Sequence, residues 1–257
     1  MENLPLNLII FCTTMPKHGH GDIVSEYTYP QVIESLFDQV KPDVFQNRVL
    51  HLKSRAQEAD KAEEIKKYCA SQDIRVIETK GDLIHHSKNP LSHAAGYYKD
   101  IYKAYSDIKL RKTKYSLWLE DDFIFKCSDG SLHDSFVNSI DFLNENPDQM
   151  CVRYNQSNHD TVAAEDYKKR GHTKVNENIF CQDTDYTEWG ATFTFQPNIN
   201  RTAEIFCAWK AGQAYLNNLH QIHCELLSGE LLKHFTNNPT TPFNFYNPEK
   251  VYSEHIG

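Results

Sequence analysis

The sequence predicts an α/β fold in which a mostly parallel central sheet is flanked by helices. Two observations lead to this prediction. Over residues 1–125, short apolar runs typical of buried strands alternate with segments whose apolar residues recur every three or four positions, as on a helix. No internal repeat and no Pro- or Gly-rich linker interrupts the chain, so we expect a single domain over residues 1–257.

The first half of the chain alternates strands and helices. Its predicted strands are Leu6–Cys12, Arg48–Ser54, Ile74–Asp82 with a turn at Gly81, and Tyr115–Phe125. Its predicted helices are Tyr29–Val40, Glu58–Gln72 and His93–Ile108. In the last helix, Ala94, Tyr97, Ile101, Tyr105 and Ile108 form the apolar stripe. Parallel strands joined by helices place their carboxyl ends at one edge, where ligands of such sheets bind.

The second half is less regular. Its predicted helices are Ser135–Pro147, Arg201–Leu219 and Ile222–Phe235, and its predicted strands are Met150–Asn155 and Ala191–Gln196. The chain's last residues are expected to add little to the core, as is usual for a terminus.

Composition excludes several classes of function. The net charge of −8 and the pI of about 5.9 remove the broad attraction on which non-specific binding to nucleic acids and to anionic membranes depends. No apolar run reaches the roughly 20 residues that cross a bilayer, and no basic signal flank precedes Leu6. The seven cysteines show no CxxC spacing, which indicates buried thiols rather than a disulfide framework. We therefore expect a soluble, cytoplasmic protein.

The acidic triplet Glu120, Asp121 and Asp122 is the most informative motif. It lies between the apolar residues of Leu117–Leu119 and Phe123–Phe125, which are suited to a buried strand. A few carboxylates held at a strand end are suitable ligands for a hard divalent cation. The alternative is a strand end that turns into solvent, with the two aspartates capping the turn.

The stretch LWLEDDF resembles the DxD region of glycosyltransferases with the GT-A fold. The resemblance implies a GT-A (Rossmann-like) fold, with a nucleotide-sugar-binding half at 1–122 and an acceptor and catalytic half at 123–257. It also implies that Asp122 binds Mn²⁺ or Mg²⁺ and that Glu120 or Asp121 contacts the ribose. Thr13, Thr14 and Asp82 lie at the carboxyl ends of predicted strands, where we expect them to contact the nucleotide sugar.

The chain ends in VYSEHIG, which resembles the C-terminal His context that completes the metal shell in many GT-A enzymes. By this resemblance His255 is the second metal ligand. The alternative is an exposed or structural histidine, one of 13 in the chain.

The resemblance also implies a carboxylate at the start of a late helix that deprotonates the acceptor. Glu225 has that position, although it follows Cys224 where the family often has an acidic pair. Glu188 and Glu230 are competing candidates, and a first-turn acid favoured by the helix dipole is the structural alternative for Glu225. Trp189 is the candidate acceptor platform, with a core role as its alternative.

These features predict a divalent-metal-dependent, inverting glycosyltransferase. The donor is a nucleotide-diphosphate sugar, with UDP-sugar favoured over GDP-sugar, and the acceptor is a carbohydrate or glycoconjugate. One alternative is a non-catalytic nucleotide- or carbohydrate-binding protein on the same fold. Another is a sugar nucleotidyltransferase, which should carry a Gly-rich G-x-G-x-R-like stretch directly after the first strand. The corresponding segment of this chain, FCTTMPKHGHGD, lacks such a stretch, which disfavours this alternative.

Overall fold

A computed structural model describes residues 3–14, 27–81, 99–127, 131–147, 149–154, 172–174, 179–182, 197–212, 243–245 and 251–256. Within these ranges the strands are β1 (Leu6–Thr13), β2 (Asn47–Ser54), β3 (Arg75–Lys80), β4 (Tyr115–Glu120), β5 (Phe123–Cys127), β6 (Cys151–Tyr154), β7 (His172–Lys174), β8 (Ile179–Gln182), β9 (Asn198–Arg201), β10 (Phe243–Phe245) and β11 (Val251–His255). The helices are α1 (Tyr29–Gln39), α2 (Ala59–Ser71), α3 (99–105), α4 (Ile108–Arg111), α5 (Ser131–Glu145) and α6 (Thr202–Gly212).

Nine strands form the central sheet in the order β3-β2-β1-β4-β9-β6-β10-β8-β7. The strands β3, β2, β1 and β4 are mutually parallel, and so are β6 and β10. Antiparallel pairing reverses β9 and β8 against their neighbours. The prediction of a mostly parallel central sheet is therefore confirmed.

Each face of the sheet is covered by helices. Leu8 and Ile10 of β1 belong to a core cluster that includes side chains of α1, α2 and α5. Ile9 and Phe11 of the same strand belong to a second cluster, which includes side chains of α3, α4 and α6. This alternation follows from the period of two along a strand, so β1 is buried on both sides, as the uninterrupted apolar run predicts.

The third predicted helix differs from its expected course. Residues 99–105 are helical, and Ile101 and Tyr105 are buried as expected. The prediction for Ile108 is wrong, because this side chain is 64% exposed. Asp107 interrupts the helix: its carboxylate accepts a hydrogen bond from the backbone N–H of Lys109 and starts α4 as a new N-cap.

The C-terminal segment also differs from expectation, because it is part of the core. Strand β11 pairs antiparallel with β5 over five residue pairs, from Val251 opposite Cys127 to His255 opposite Phe123. Ser253 is fully buried, and its hydroxyl donates to the carbonyl oxygen of Tyr154 at 3.4 Å. The expectation that the last residues add little to the core is therefore wrong.

Several predicted elements of the second half are only partly described. Helix α5 and strand β6 confirm two predictions, and α6 confirms the first part of the helix predicted from Arg201. The strand predicted at 191–196 and the helix predicted at 222–235 lie outside the described residues. Strands β7, β8, β9 and β10 were not predicted from the sequence. No helix in the described ranges has the length and apolar character needed to cross a membrane.

Candidate functional site

The candidate site lies where the parallel strands end. The register places Phe11 of β1 opposite Glu120 of β4. Two residues further along β1, Thr13 lies opposite Lys53, and Lys53 lies opposite Thr79 of β3. The acidic triplet and the ends of β1, β2 and β3 therefore share the carboxyl edge of the sheet, as the strand order predicts.

Asp121 joins β4 to β1. Its backbone N–H donates to the carbonyl oxygen of Phe11 at 2.9 Å, and its Oδ2 accepts from the backbone N–H of Thr13 at 3.3 Å. Only 4% of Asp121 is exposed. The carboxylate of Asp121 is thus directed toward the end of β1, where the backbone N–H of Thr13, not its side chain, donates to it.

Asp122 is held from the opposite side by the C-terminal strand. The backbone N–H of Ile256 donates to the carbonyl oxygen of Asp122 at 2.8 Å, and His255 is paired with Phe123, the next residue along the chain. Asp122 is 6% exposed, whereas Glu120 is half-buried. The topology therefore brings the backbone of His255 to within one residue of Asp122, although the two lie 133 positions apart in the sequence.

Thr14 is buried in a polar cluster at the start of the β2–α2 connection. Its hydroxyl donates to the carboxylate of Glu58 and accepts from the backbone N–H of Arg55 at 3.3 Å. Glu58 also forms an ion pair with Arg55, and the hydroxyl of Tyr27 donates to the carbonyl oxygen of Thr14 at 3.0 Å. These contacts order the end of β1 and use both hydrogen-bonding functions of the Thr14 hydroxyl.

An ion pair that no sequence pattern predicts lies along the same edge. The ammonium group of Lys53 forms an ion pair with Asp100 of α3, with Nζ to Oδ2 at 3.0 Å. Burial raises the pKa of Asp100, an effect that the Lys53 ammonium opposes. Its two members are 47 residues apart in the sequence, and the fold brings them together by packing α3 near β2, so no local pattern signals the pair.

His51 precedes Lys53 by two residues on β2. It is 1% exposed, its Nε2 is 2.9 Å from the hydroxyl oxygen of Thr79, and its ring is 5.4 Å from that of Phe11. Burial, together with the charges of Lys53 and Lys103, lowers the pKa of His51 to about 3. His51 is therefore neutral at pH 7, and it is not a cation available to a phosphate.

The remaining predicted site residues lie outside the described residues. These are Asp82, Glu225 and Trp189, together with the competing candidates Glu188 and Glu230. The side chain of His255 likewise lies outside the description, so its backbone pairing is the structural observation that concerns it.

The chemistry of the described residues fits a hard cation. Asp121 and Asp122 are adjacent buried carboxylates, and oxygen donors of this kind suit Mg²⁺ and Mn²⁺, which retain positions for water and phosphate oxygens. Among the described side chains there is no group of three His, Cys, Asp or Glu residues that could hold a metal. A bound cation would thus rely on Asp122 together with substrate oxygens and a ligand outside that set.

Comparisons with known proteins concern the fold. No family model matches the sequence, and no curated protein matches it. One similar structure is a 4-diphosphocytidyl-2C-methyl-D-erythritol synthase from Anaerococcus prevotii, with a TM-score of 0.45 and 12% identity over 95% of this chain and 89% of that chain. Another is described as a glucose-1-phosphate thymidylyltransferase from Bacillus anthracis, with a TM-score of 0.46 and 9% identity over 96% of this chain and 88% of that chain.

Proposed function

We propose that this chain is a metal-dependent glycosyltransferase that transfers a sugar from a nucleotide-diphosphate sugar to a hydroxyl acceptor with inversion. The observation that carries the proposal is the position of Asp121 and Asp122. Both carboxylates are buried at the carboxyl edge of a parallel sheet and are held between β1 and the C-terminal strand β11. Ligands bind at this edge in open α/β sheets.

The proposed roles at the donor are those that the resemblance implies, and the placement of Asp121 and Asp122 supports them. Asp122 and His255 hold a divalent cation, which supplies Lewis-acid stabilisation of the diphosphate when bound. Asp121 or Glu120 accepts a hydrogen bond from the ribose, and the N–H of Thr13 keeps Asp121 at the end of β1. Asp82 completes the nucleotide-sugar contacts, with UDP favoured as the nucleotide, and Thr14 supports this site by ordering the end of β1 through Glu58 and Arg55.

The proposed chemistry is a single displacement. The acceptor oxygen forms a bond to the anomeric carbon as the bond from that carbon to the phosphate oxygen breaks, and the nucleoside diphosphate leaves with the electron pair. Glu225 accepts the proton of the acceptor hydroxyl, and Trp189 packs against the acceptor sugar.

A sugar nucleotidyltransferase is the second candidate, because the thymidylyltransferase among the similar structures has that activity by name. Similarity at TM-scores of 0.45 and 0.46 does not discriminate between the two reactions. The products do discriminate, since glycosyl transfer releases a nucleoside diphosphate, whereas nucleotidyl transfer to a sugar 1-phosphate releases pyrophosphate.

The test is therefore a product assay by ³¹P NMR with Mn²⁺ present. One arm supplies UDP-sugars with a panel of glycoside acceptors, and the other supplies nucleoside triphosphates with sugar 1-phosphates. We expect acceptor-dependent UDP release in the first arm that is lost in Asp122→Asn, and no pyrophosphate in the second. Pyrophosphate release would establish the nucleotidyltransferase instead. Metal-dependent donor binding without either product would indicate a binding protein.

A further inference from the structure

The amino edge of the sheet, opposite the candidate site, has an unusual charge. Strands β2, β3 and β4 begin at this edge, and α4 immediately precedes β4. Residues 108–114 read IKLRKTK, with four basic residues in seven positions of a chain whose net charge is −8. Arg48, near the start of β2, and Arg75, the first residue of β3, also lie at this edge. We name the resulting cluster the amino-edge basic surface, which comprises Arg48, Arg75, Lys109, Arg111, Lys112 and Lys114.

Acidic neighbours neutralise only part of this surface. Arg48 is paired with Asp73, and Arg75 is paired with Asp107 at 2.5 Å. Lys109 and Lys112 are exposed and form no ion pair with any residue that the structure describes. Within the cluster, six cationic side chains are matched by two carboxylates in ion pairs, those of Asp73 and Asp107; the exposed acids Asp43 and Glu145 lie at the same edge.

Two further cations are held in place rather than extended. The guanidinium of Arg111 lies 4.4 Å from the ring centroid of Phe206 on α6, and the ammonium of Lys114 donates to Asn144 at 2.5 Å. These contacts limit the conformational freedom of both side chains. Part of the positive charge is therefore ordered before any partner binds.

An apolar side chain and a cavity accompany the charge. Ile108, 64% exposed, is the one large apolar side chain exposed among the described residues, and Lys109 follows it directly. Lys109 also lines a shallow cavity of about 410 Å³, together with Arg48, Arg75 and the carboxylate-bearing Asp73. The surface therefore offers one exposed apolar group, several ammonium and guanidinium groups, and space for a group of phosphate size.

We propose that the amino-edge basic surface docks the protein reversibly on an anionic phospholipid membrane. Lysines and arginines beside an exposed aliphatic side chain complement both parts of such an interface, namely the phosphate headgroups and the apolar boundary beneath them. Each basic residue at an anionic surface strengthens binding by about fivefold. The proposal concerns a surface remote from the candidate site, and it does not depend on the proposed function.

The acidic triplet at the opposite edge of the sheet does not oppose this docking strongly. The six residues of β4 separate Lys114 from the acidic turn, which is formed by Asp121 and Asp122, and this separation corresponds to about 20 Å at the usual rise per residue. That distance exceeds the Debye length of about 8 Å at physiological salt, so repulsion from the far edge is largely screened. In this orientation the candidate site faces away from the bilayer, toward the aqueous phase.

The test is vesicle co-sedimentation with the full chain in 0.1 M salt. Vesicles of phosphatidylcholine with about 30% phosphatidylserine are compared with vesicles of phosphatidylcholine alone. The test variant is Lys109→Glu/Lys112→Glu. The matched control is Lys67→Glu/Lys99→Glu, which changes the net charge equally at two exposed lysines outside the surface. Circular dichroism and thermal midpoints establish that both variants fold.

We expect the wild-type chain to bind only the phosphatidylserine vesicles and to be released by 0.5 M salt. The test variant should lose at least about tenfold in partitioning, whereas the control variant should change by less than about threefold. Equal binding to both kinds of vesicle, or equal losses in the two variants, would overturn the proposal. Binding to soluble heparin without binding to phosphatidylserine vesicles would also overturn it and would assign the surface to a polyanionic partner.

Discussion

The backbone N–H of Ile256 donates a hydrogen bond to the carbonyl oxygen of Asp122 at 2.8 Å, so the C-terminal strand fixes the acidic turn from one side. Ile256→Pro removes this donor and keeps His255, whereas Ile256→Ala keeps the donor. Loss of a buried hydrogen bond of this kind costs about 1–2 kcal/mol. We expect Mn²⁺ affinity, measured by electron paramagnetic resonance of the free ion, to fall roughly fivefold or more in the proline variant only. Equal affinities in the two variants would show that the hydrogen bond does not position Asp122.

Truncation after Tyr252 should destabilise the fold as well as the metal site. It removes the buried Ser253 and the residues of β11 that pair with β5 beside the acidic turn. We expect the free energy of unfolding in urea to fall by about 2 kcal/mol or more. His255→Ala is the matched comparison, and it should weaken Mn²⁺ binding with little change in stability. A truncated chain as stable as the wild type would show that β11 contributes little to the core.

The pH dependence of stability should report on His51. Its pKa is about 3 in the folded chain and 6.5 in the unfolded chain, so between these values the unfolded chain binds the extra proton. The stabilisation linked to His51 is therefore complete above pH 6.5 and is lost as the pH falls toward 3.

His51→Gln removes this linkage and retains a polar group that can reach the Thr79 hydroxyl. Between pH 7 and pH 5, we expect the free energy of unfolding of the wild type to fall by about 2 kcal/mol more than that of the variant. Urea denaturation at the two pH values measures the difference. Parallel curves for the two proteins would mean that the pKa of His51 in the folded chain is close to its value in the unfolded chain.

The elements predicted correctly are those whose patterns are local. The apolar run of β1 and the apolar stripe of α2, formed by Ala62, Ile65 and Cys69, are set by burial of neighbouring residues, and both were found as predicted. Asp121 and Thr13 could be assigned to one edge because alternating strands and helices predict parallel strands, whose carboxyl ends lie at the same edge of the sheet.

The features that sequence reasoning missed depend on distant partners. Strand β9 contains Asn198 and Asn200, residues that disfavour strands, and Asn200 is buried because Tyr105 of α3 donates to its side chain at 3.1 Å. Similarly, Glu58 reaches Thr14 across 44 residues, and no local pattern signals that contact. In both cases tertiary hydrogen bonds override the local preference.

Glu225→Gln should separate donor binding from transfer. The substitution preserves size and removes the proton acceptor, so we expect turnover to fall by about 10²-fold or more while donor affinity is retained. Glu188→Gln and Glu230→Gln are the comparisons, since these residues are the competing candidates. Near-normal turnover of Glu225→Gln with a loss in either comparison variant would reassign the base. Retention of the donor's anomeric configuration in the product, read by NMR, would exclude the inverting mechanism.

The central claim is that Asp122 binds a nucleotide-diphosphate sugar through a divalent cation. Its most direct test is thermal unfolding of the wild type, Asp122→Asn and the control Asp134→Asn with UDP-sugars, each with and without Mn²⁺. Asp134 is a suitable control because its side chain is 81% exposed on α5. At a ligand concentration of about 100 times Kd, binding contributes roughly 2.7 kcal/mol and raises the midpoint by several degrees. We predict Mn²⁺-dependent protection of the wild type and Asp134→Asn that is abolished in Asp122→Asn, and equal protection of all three proteins would contradict the claim.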